Sequence, residues 1–514
     1  MAVALGIRGG VFMQLEAVFL EKTAQQKIAL LAALCQREHT GITIADLAAQ
    51  LDLTYQRTYN LFQELTADLA ELYHKTPNDM RNGLIQAAPQ TVSLALYTAQ
   101  QFREATAWQF FDYVVQSYQP SLDGFCSEHF LSRSTLMRKT ADLRAFLAHY
   151  QLKLVYPTLT FVGPEACIRL LLQQCYWQAT QGAHWPFIAI SEPDLRRQYQ
   201  QFPRLHQSPL AQHMDLYLLA VSRIRMAHGL ALDHQIAALL PNANPYFTAS
   251  QFPRLTSQQL VFENQFIAFH QAVALRFGPI TLDAWTRRKQ RLTTATPMAA
   301  KVLAALQADL LNPSDPGYVA LQTDLGLQLN LLRVLACFLS LGSDYCKASD
   351  FDAPHQTSVR LNQVSMRVYT FVTNLPQTPE YQILHDAAHA FCRFVVYVLA
   401  PVINQTDPAV RLKVAVILEP NDILHRRLNG FLDNIGFVDR LKGPNALAQC
   451  DFLITEASHL LAPQTLAFTT NYPKACLIWN LDASTVDYHH LYQKLSALYL
   501  TRLVPLSPSL APDA

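Results

Sequence analysis

The chain has 514 residues and 40 Lys and Arg against 39 Asp and Glu, a formal net charge of +1 that excludes a uniformly basic nucleic-acid coat but leaves room for a local basic face. Half of the residues are hydrophobic and 15% are charged, which favours packed domains over solvated tails, roughly three to five of them at this length. The 9 Cys form no CxxC pair, which argues against a zinc ribbon and for reduced thiols in a cytoplasmic protein.

The N-terminus is mildly apolar without the basic and apolar regions of a signal peptide, and Met13, which opens the first expected helix, competes with Met1 as the start. No apolar run reaches the roughly 18 residues of a membrane span. The apolar spacing of 23–37 and 44–51 predicts two helices, and Asp52-Leu53 makes a tight break. Thr54 is the expected N-cap of a third helix, TYQRTYNLFQELTADLAEL. Three helices joined this way form a helix-turn-helix. Its recognition helix would offer Tyr55, Gln56, Arg57, Thr58 and Asn60 to DNA.

The pattern repeats downstream. An apolar helix is predicted over 106–119, a short one over 126–131, and a third helix capped by Ser132. Arg133, Ser134, Thr135, Arg138 and Lys139 follow the cap, with Leu136, Leu143 and Leu147 facing inward. Residues 132–154 hold five Lys or Arg and one Asp. Residues 152–162 alternate around a central Pro-Thr and predict a β-hairpin wing. Cations here would meet phosphates, and hydroxyls and Arg the base edges or the backbone. The competing reading is that these charges only solvate an outer helix face.

Long apolar helical stretches then run through 164–180, 208–229, 257–276, 296–311, 317–342, 357–373 and 378–400. They read as two bundles divided near 280–295, with TRRKQR at 286–291 as a solvated linker. Toward the end, short apolar strands (412–419, 450–457, 475–481) alternate with helices (421–436, 463–470, 485–503), the signature of a small parallel α/β domain. The expected fold is mainly α and multidomain: units at 13–88, 89–163, 164–285, 286–405 and 410–505.

The domain order, SEHFLSRSTLMRKTADLRAFLAHYQLKL (127–154), GPEACIRLLLQQCYW (163–177, with its G-x-E-x-x-I-R spacing) and MDLYLLAVSRIRMAHG (214–229) resemble the Mga/AtxA family of transcription regulators. The resemblance implies a homodimeric activator that binds double-stranded promoter DNA. It also implies two bundles like phosphotransferase-system regulation domains and a last domain like the IIB component of sugar permeases. Such bundles accept phosphate on histidine from the phosphotransferase-system phosphocarrier protein. Candidates are His206, His213, His228 and His270 in the first bundle and His355, His385 and His389 in the second. His213 and His228 come first, then His385, because imidazole is a nucleophile near neutral pH. The IIB-like domain departs from the phosphorylatable pattern: its loop LEPNDILH (418–425) has no Cys, so it reads as an interaction or dimerisation module.

HDAAH (385–389) puts two His four apart on one expected helix, which is zinc-ligand spacing, but no third ligand is evident and no metal is expected. No Walker loop, GxGxxG or GxSxG occurs, so neither a cofactor nor an enzymatic activity is expected. The rival function is a scaffold that senses sugar status through protein contacts without touching DNA.

Overall fold

A computed structural model describes residues 15–35, 43–86, 92–201, 209–236, 245–275, 280–310, 316–342, 356–357, 359–406, 410–418, 422–442, 446–456, 475–479 and 483–505. Among them the chain is mainly helical, with a four-stranded parallel sheet near the C-terminus. The helix expected over 463–470 and the candidates His206 and His355 lie outside the described residues.

The first helix-turn-helix is built from α2 (Lys22–Cys35), α3 (Ile44–Leu51) and α4 (Tyr55–Leu72), followed by α5 (Pro77–Gln86). Thr43 and Asp46 form a capping box at α3, and Thr54 caps α4 by accepting from Arg57 N. Thr58, Leu61, Phe62, Leu65 and Leu69 bury one stripe of α4 in a separate core with Leu30, Leu34 and Leu47. That core is closed by Tyr97 of α6 (Leu94–Glu104).

The second helix-turn-helix comprises α7 (Thr106–Gln116), α8 (Leu122–Glu128), α9 (Arg133–Lys139) and α10 (Ala141–His149). The short helix expected at 126–131 starts earlier, because Ser121 Oγ accepts from Gly124 N and so sets the first turn. The single helix expected from Ser132 onward is divided at Thr140, whose φ of −106° and ψ of 16° interrupt it. The Thr140 hydroxyl is buried, donates to Leu136 O (2.8 Å) and accepts from Tyr156 OH (2.6 Å). Leu136, Leu143 and Leu147 are buried as expected. The wing is an antiparallel pair, β1 (Lys153–Val155) with β2 (Thr160–Val162).

Although it precedes the first helix-turn-helix, α1 (Leu15–Phe19) packs on the second. The Phe19 ring meets Trp108 edge-on at 5.1 Å and Phe111 at 5.2 Å. This core continues without a break through α11 (Glu165–Thr180), α12 (Glu192–Gln200), α13 (Pro209–Ala227), α14 (Ser257–Val273), α15 (Leu282–Ala295), α16 (Pro297–Leu310), α17 (Pro316–Thr323) and α18 (Leu325–Leu341), and reaches Ile403. The run TRRKQR is not a linker: it lies within α15, which Thr281 caps and which seats Leu292 in the core.

After β3 (Gln356–Thr357) come α19 (Val359–Thr373), α20 (Pro379–Asp386) and α21 (Ala388–Thr406). The stretch expected as one helix over 378–400 breaks at Ala387, so α20 and α21 meet at 73°. Among the described residues no single helix is long and apolar enough to cross a membrane.

The C-terminal domain has its own core. Its sheet runs β5 (Val438–Arg440), β4 (Leu412–Ile417), β6 (Phe452–Thr455), β7 (Cys476–Ile478), all parallel. The helices α22 (Asp422–Asp433), α23 (Ala446–Gln449) and α24 (Thr485–Leu500) alternate with the strands. The strand β5 was not anticipated, because VDR is too short and polar to register as one. A last strand, β8 (Val504–Pro505), pairs antiparallel with β3.

Candidate nucleic-acid interface

Ser132 Oγ accepts from Thr135 N at 3.1 Å and lies 2.9 Å from Ser134 Oγ and 2.8 Å from Thr135 Oγ1, so three hydroxyls gather where α9 begins. Ser132, Arg133, Ser134 and Arg138 are exposed, whereas Thr135 and Lys139 are half-buried. Arg133 grips Asp123 of α8 with two parallel bonds, Nε–Oδ1 at 2.6 Å and Nη2–Oδ2 at 2.5 Å. The hydrogen bond from Arg133 holds the Asp123 carboxyl below its ordinary range. Lys139 pairs with Glu21, which directly precedes α2. Arg138 makes no ion pair among the described residues. Arg144 lies over the Tyr156 ring at 5.6 Å, and Lys153 is exposed on the wing. Two of the five cations in 132–154 therefore already hold carboxylates.

On the first recognition helix, α4, Tyr55, Gln56 and Asn60 are exposed, and Gln56 Nε2 donates to Asn60 Oδ1 at 3.0 Å. Tyr59 was missed by the sequence reading. It is 39% exposed and lies one turn beyond Tyr55, which is 58% exposed, and that spacing of four was the available signal. Two candidates do not reach solvent in the expected way. Thr58 is fully buried and donates to Thr54 O at 3.1 Å, because it stands on the same stripe as Leu61, Phe62 and Leu65. Arg57 turns back onto α2 and donates to Thr23 Oγ1 (2.9 Å) and Gln26 Oε1 (2.8 Å). The corner from Glu21 to Gln26 thus touches both recognition helices. It borders an open cleft of about 570 Å³ that Lys22, Glu104, Arg138 and Asp142 also line.

Residues 90–176 match the family described as the Mga helix-turn-helix domain. The chain carries a Mga helix-turn-helix domain. No curated protein matches the chain. The matched segment runs from α6 into α11 and includes α9 and the wing. It is a regulatory DNA-binding domain, so transcription regulation is the class of function it assigns.

The spacing G-x-E-x-x-I-R, which closes this Mga domain, has a structural cause. Gly163 sits at φ +145°, where an added Cβ would overlap Leu152 Cδ2. Glu165 and Arg169 belong to a buried ion network that fastens α11 to α13 and α14. Arg169 and Glu263 side chains are both 0% exposed and paired, with Arg169 Nη2–Glu263 Oε1 at 2.9 Å. Arg169 Nε also donates to Glu165 Oε1 at 2.9 Å, and Arg225 grips the same carboxylate at 2.9 and 2.6 Å. Burial opposes the Arg169 charge, but Glu263 and Glu165 outweigh it and hold its pKa raised.

Histidines outside the Mga domain differ in access. His213 is half-buried, with Nε2 at 3.0 Å from Arg196 Nη2 and 3.7 Å from Glu192 Oε1. His228 is half-buried with its ring edge-on to Tyr118 at 5.6 Å, and burial and then Arg225 lower its pKa. His270 is buried, its Nδ1 3.6 Å from Asp215 Oδ1, so a phosphocarrier cannot reach it without opening the core. His385 lies on α20 with its Nε2 3.4 Å from Pro376 O, while His389 lies beyond the bend on α21, its ring 4.9 Å from Tyr369. The two therefore do not share one helix face as HDAAH implied. Among the described residues no group of three or more His, Cys, Asp or Glu is arranged to hold a metal ion.

Proposed function

We propose that the chain is a transcription activator of the Mga type that binds promoter DNA chiefly through its second helix-turn-helix. The observation that carries this reading is the Mga match falling on a winged unit whose α9 exposes Ser132, Arg133, Ser134 and Arg138. Tyr55, Gln56, Tyr59 and Asn60 on α4 give the first unit a supporting contact with the same duplex. The protein acts as a homodimer joined through residues 410–505, a parallel α/β domain with no Cys in its first loop. Phosphate from the sugar phosphotransferase system, placed on His213 or His228, shifts the bundles. In support, Arg196 beside His213 would neutralise an added phosphate, and the lowered pKa of His228 keeps its imidazole neutral and nucleophilic.

The test is fluorescence anisotropy of the full chain with DNA from upstream of its own coding sequence, titrated with salt. Each phosphate contact contributes about 0.9 to the slope of log affinity against log salt. The Arg133→Ala, Arg138→Ala double variant should bind more weakly with a flatter slope. An unchanged slope removes α9 from the interface. Absence of binding by the wild type and by its His213→Asp and His228→Asp variants points to the protein-contact scaffold instead. A chain ending at residue 405 that still sediments as a dimer overturns the C-terminal interface.

A further inference from the structure

We infer that Phe130 is the apolar DNA contact of the second helix-turn-helix, packing on deoxyribose or a thymine methyl beside the groove that α9 enters. This rests on the DNA-binding reading above and names a contact that the charges and hydroxyls do not supply.

The two helix-turn-helix units end their middle helices alike. Leu53 N donates to Ala48 O at 2.9 Å after α3, and Leu131 N donates to Cys126 O at 2.8 Å after α8. The residue before each donor is left-handed: Asp52 and Phe130 both have φ of 53°. Asp tolerates that conformation because its short polar side chain bonds locally, and Gly adopts it freely. Phe does not, so the turn itself gives no reason for a phenyl group at 130.

Packing gives none either. Phe130 is 95% exposed, more than any other large hydrophobic among the described residues. Its neighbours behave differently: Phe125 is buried, and the His129 ring stacks on it at 4.1 Å. Phe130 thus carries an unfavourable backbone conformation and an unburied aromatic ring with no compensation among the described residues. Two residues later come the Ser132 cap, Arg133 and Ser134, all exposed. A duplex docked on those groups offers two apolar surfaces to a ring at the turn, the sugar edge and the thymine 5-methyl.

The experiment uses the full-length chain and a fluorescein-labelled duplex that it enriches from a random pool. In Phe130→Gly and Phe130→Asn the melting temperature should hold or rise, because both residues suit a positive φ. DNA affinity should fall roughly ten-fold, the scale of one lost base contact. The loss should be equal at every salt concentration, since an apolar contact releases no counterions. Replacing thymine by uracil weakens the wild type alone if the ring meets a methyl, and leaves both unchanged if it meets sugar. Wild-type affinity in both Phe130 variants, with weakened binding in Arg133→Ala, Arg138→Ala, overturns the inference and leaves the DNA-binding reading standing. Unaltered binding in all of them sinks both. A lower melting temperature would show that the ring packs within the chain, and altered sedimentation at unchanged DNA affinity would assign it to self-association; either result overturns the inference.

Discussion

Replacing Arg169 by Met should loosen the packing of α11, where the Mga match ends, against α13 and α14. The side chains of Arg169 and Glu263 are fully buried, and among the described residues Glu263 would keep only the bond from Leu232 N at 2.9 Å. Removing one partner of such a pair leaves an uncompensated buried charge, at a cost of about 3–5 kcal/mol. Spread over a local opening equilibrium, this is roughly two to four orders of magnitude in exchange protection. Hydrogen exchange read by mass spectrometry on peptides from α11, α13 and α14 measures it, and α2–α4 serve as an internal reference because their core is separate. Converting the pair to Arg169→Met, Glu263→Leu should restore at least about 1 kcal/mol, since a buried pair replaced by apolar groups loses little. Glu165 retains Arg225 in that variant. Unchanged protection of α11 in the single variant, or lower protection in the double than in the single, would refute the reasoning.

Three further outcomes follow from the same geometry. Freeing Arg133 with Asp123→Asn should tighten DNA binding and steepen the salt slope by about 0.9, and an unaltered slope would mean that Arg133 meets no phosphate. Gly163→Ala must place a side chain at φ +145° against the buried Leu152, and should destabilise the wing by at least about 1 kcal/mol, seen as a lower melting temperature. The pKa of His228 is depressed in the fold by burial and by Arg225, so the unfolded chain binds the proton more readily. Stability should therefore be full above the ordinary value of 6.5 and decline as pH falls below it. His228→Gln should lessen that decline in a melting series against pH.

Features decided within a few residues were legible in the sequence. Thr54 and Ser132 act as caps because a hydroxyl reaches a backbone N–H three residues on, whatever surrounds it. The wing and strand β4 followed from alternation and from unbroken apolar runs. What was lost depends on partners far along the chain. Glu21 and Lys139 are 118 residues apart, and Arg57 finds Thr23 and Gln26 across α2. The break at Thr140 depends on Tyr156, sixteen residues later. Two errors had local remedies. Thr58 stands in the i, i+3, i+4, i+7 series with Leu61, Phe62 and Leu65, so its burial could have been read. Thr281 and Asp283 announce α15 ahead of the basic run, against the linker that its charges suggest.

The placement of α1 has a consequence for the order of synthesis. Leu15, Val18 and Phe19 leave the ribosome before the first helix-turn-helix, yet the surfaces that bury them belong to α7, α10 and α11. The first unit can close its own core once Tyr97 has emerged. The α1 segment must wait until α11 is complete at Thr180, roughly ten to thirty seconds at about 5–20 residues per second. During the later half of that interval, once Tyr97 is out, an apolar peptide hangs from an already folded unit, which makes it a natural landing place for a ribosome-associated chaperone.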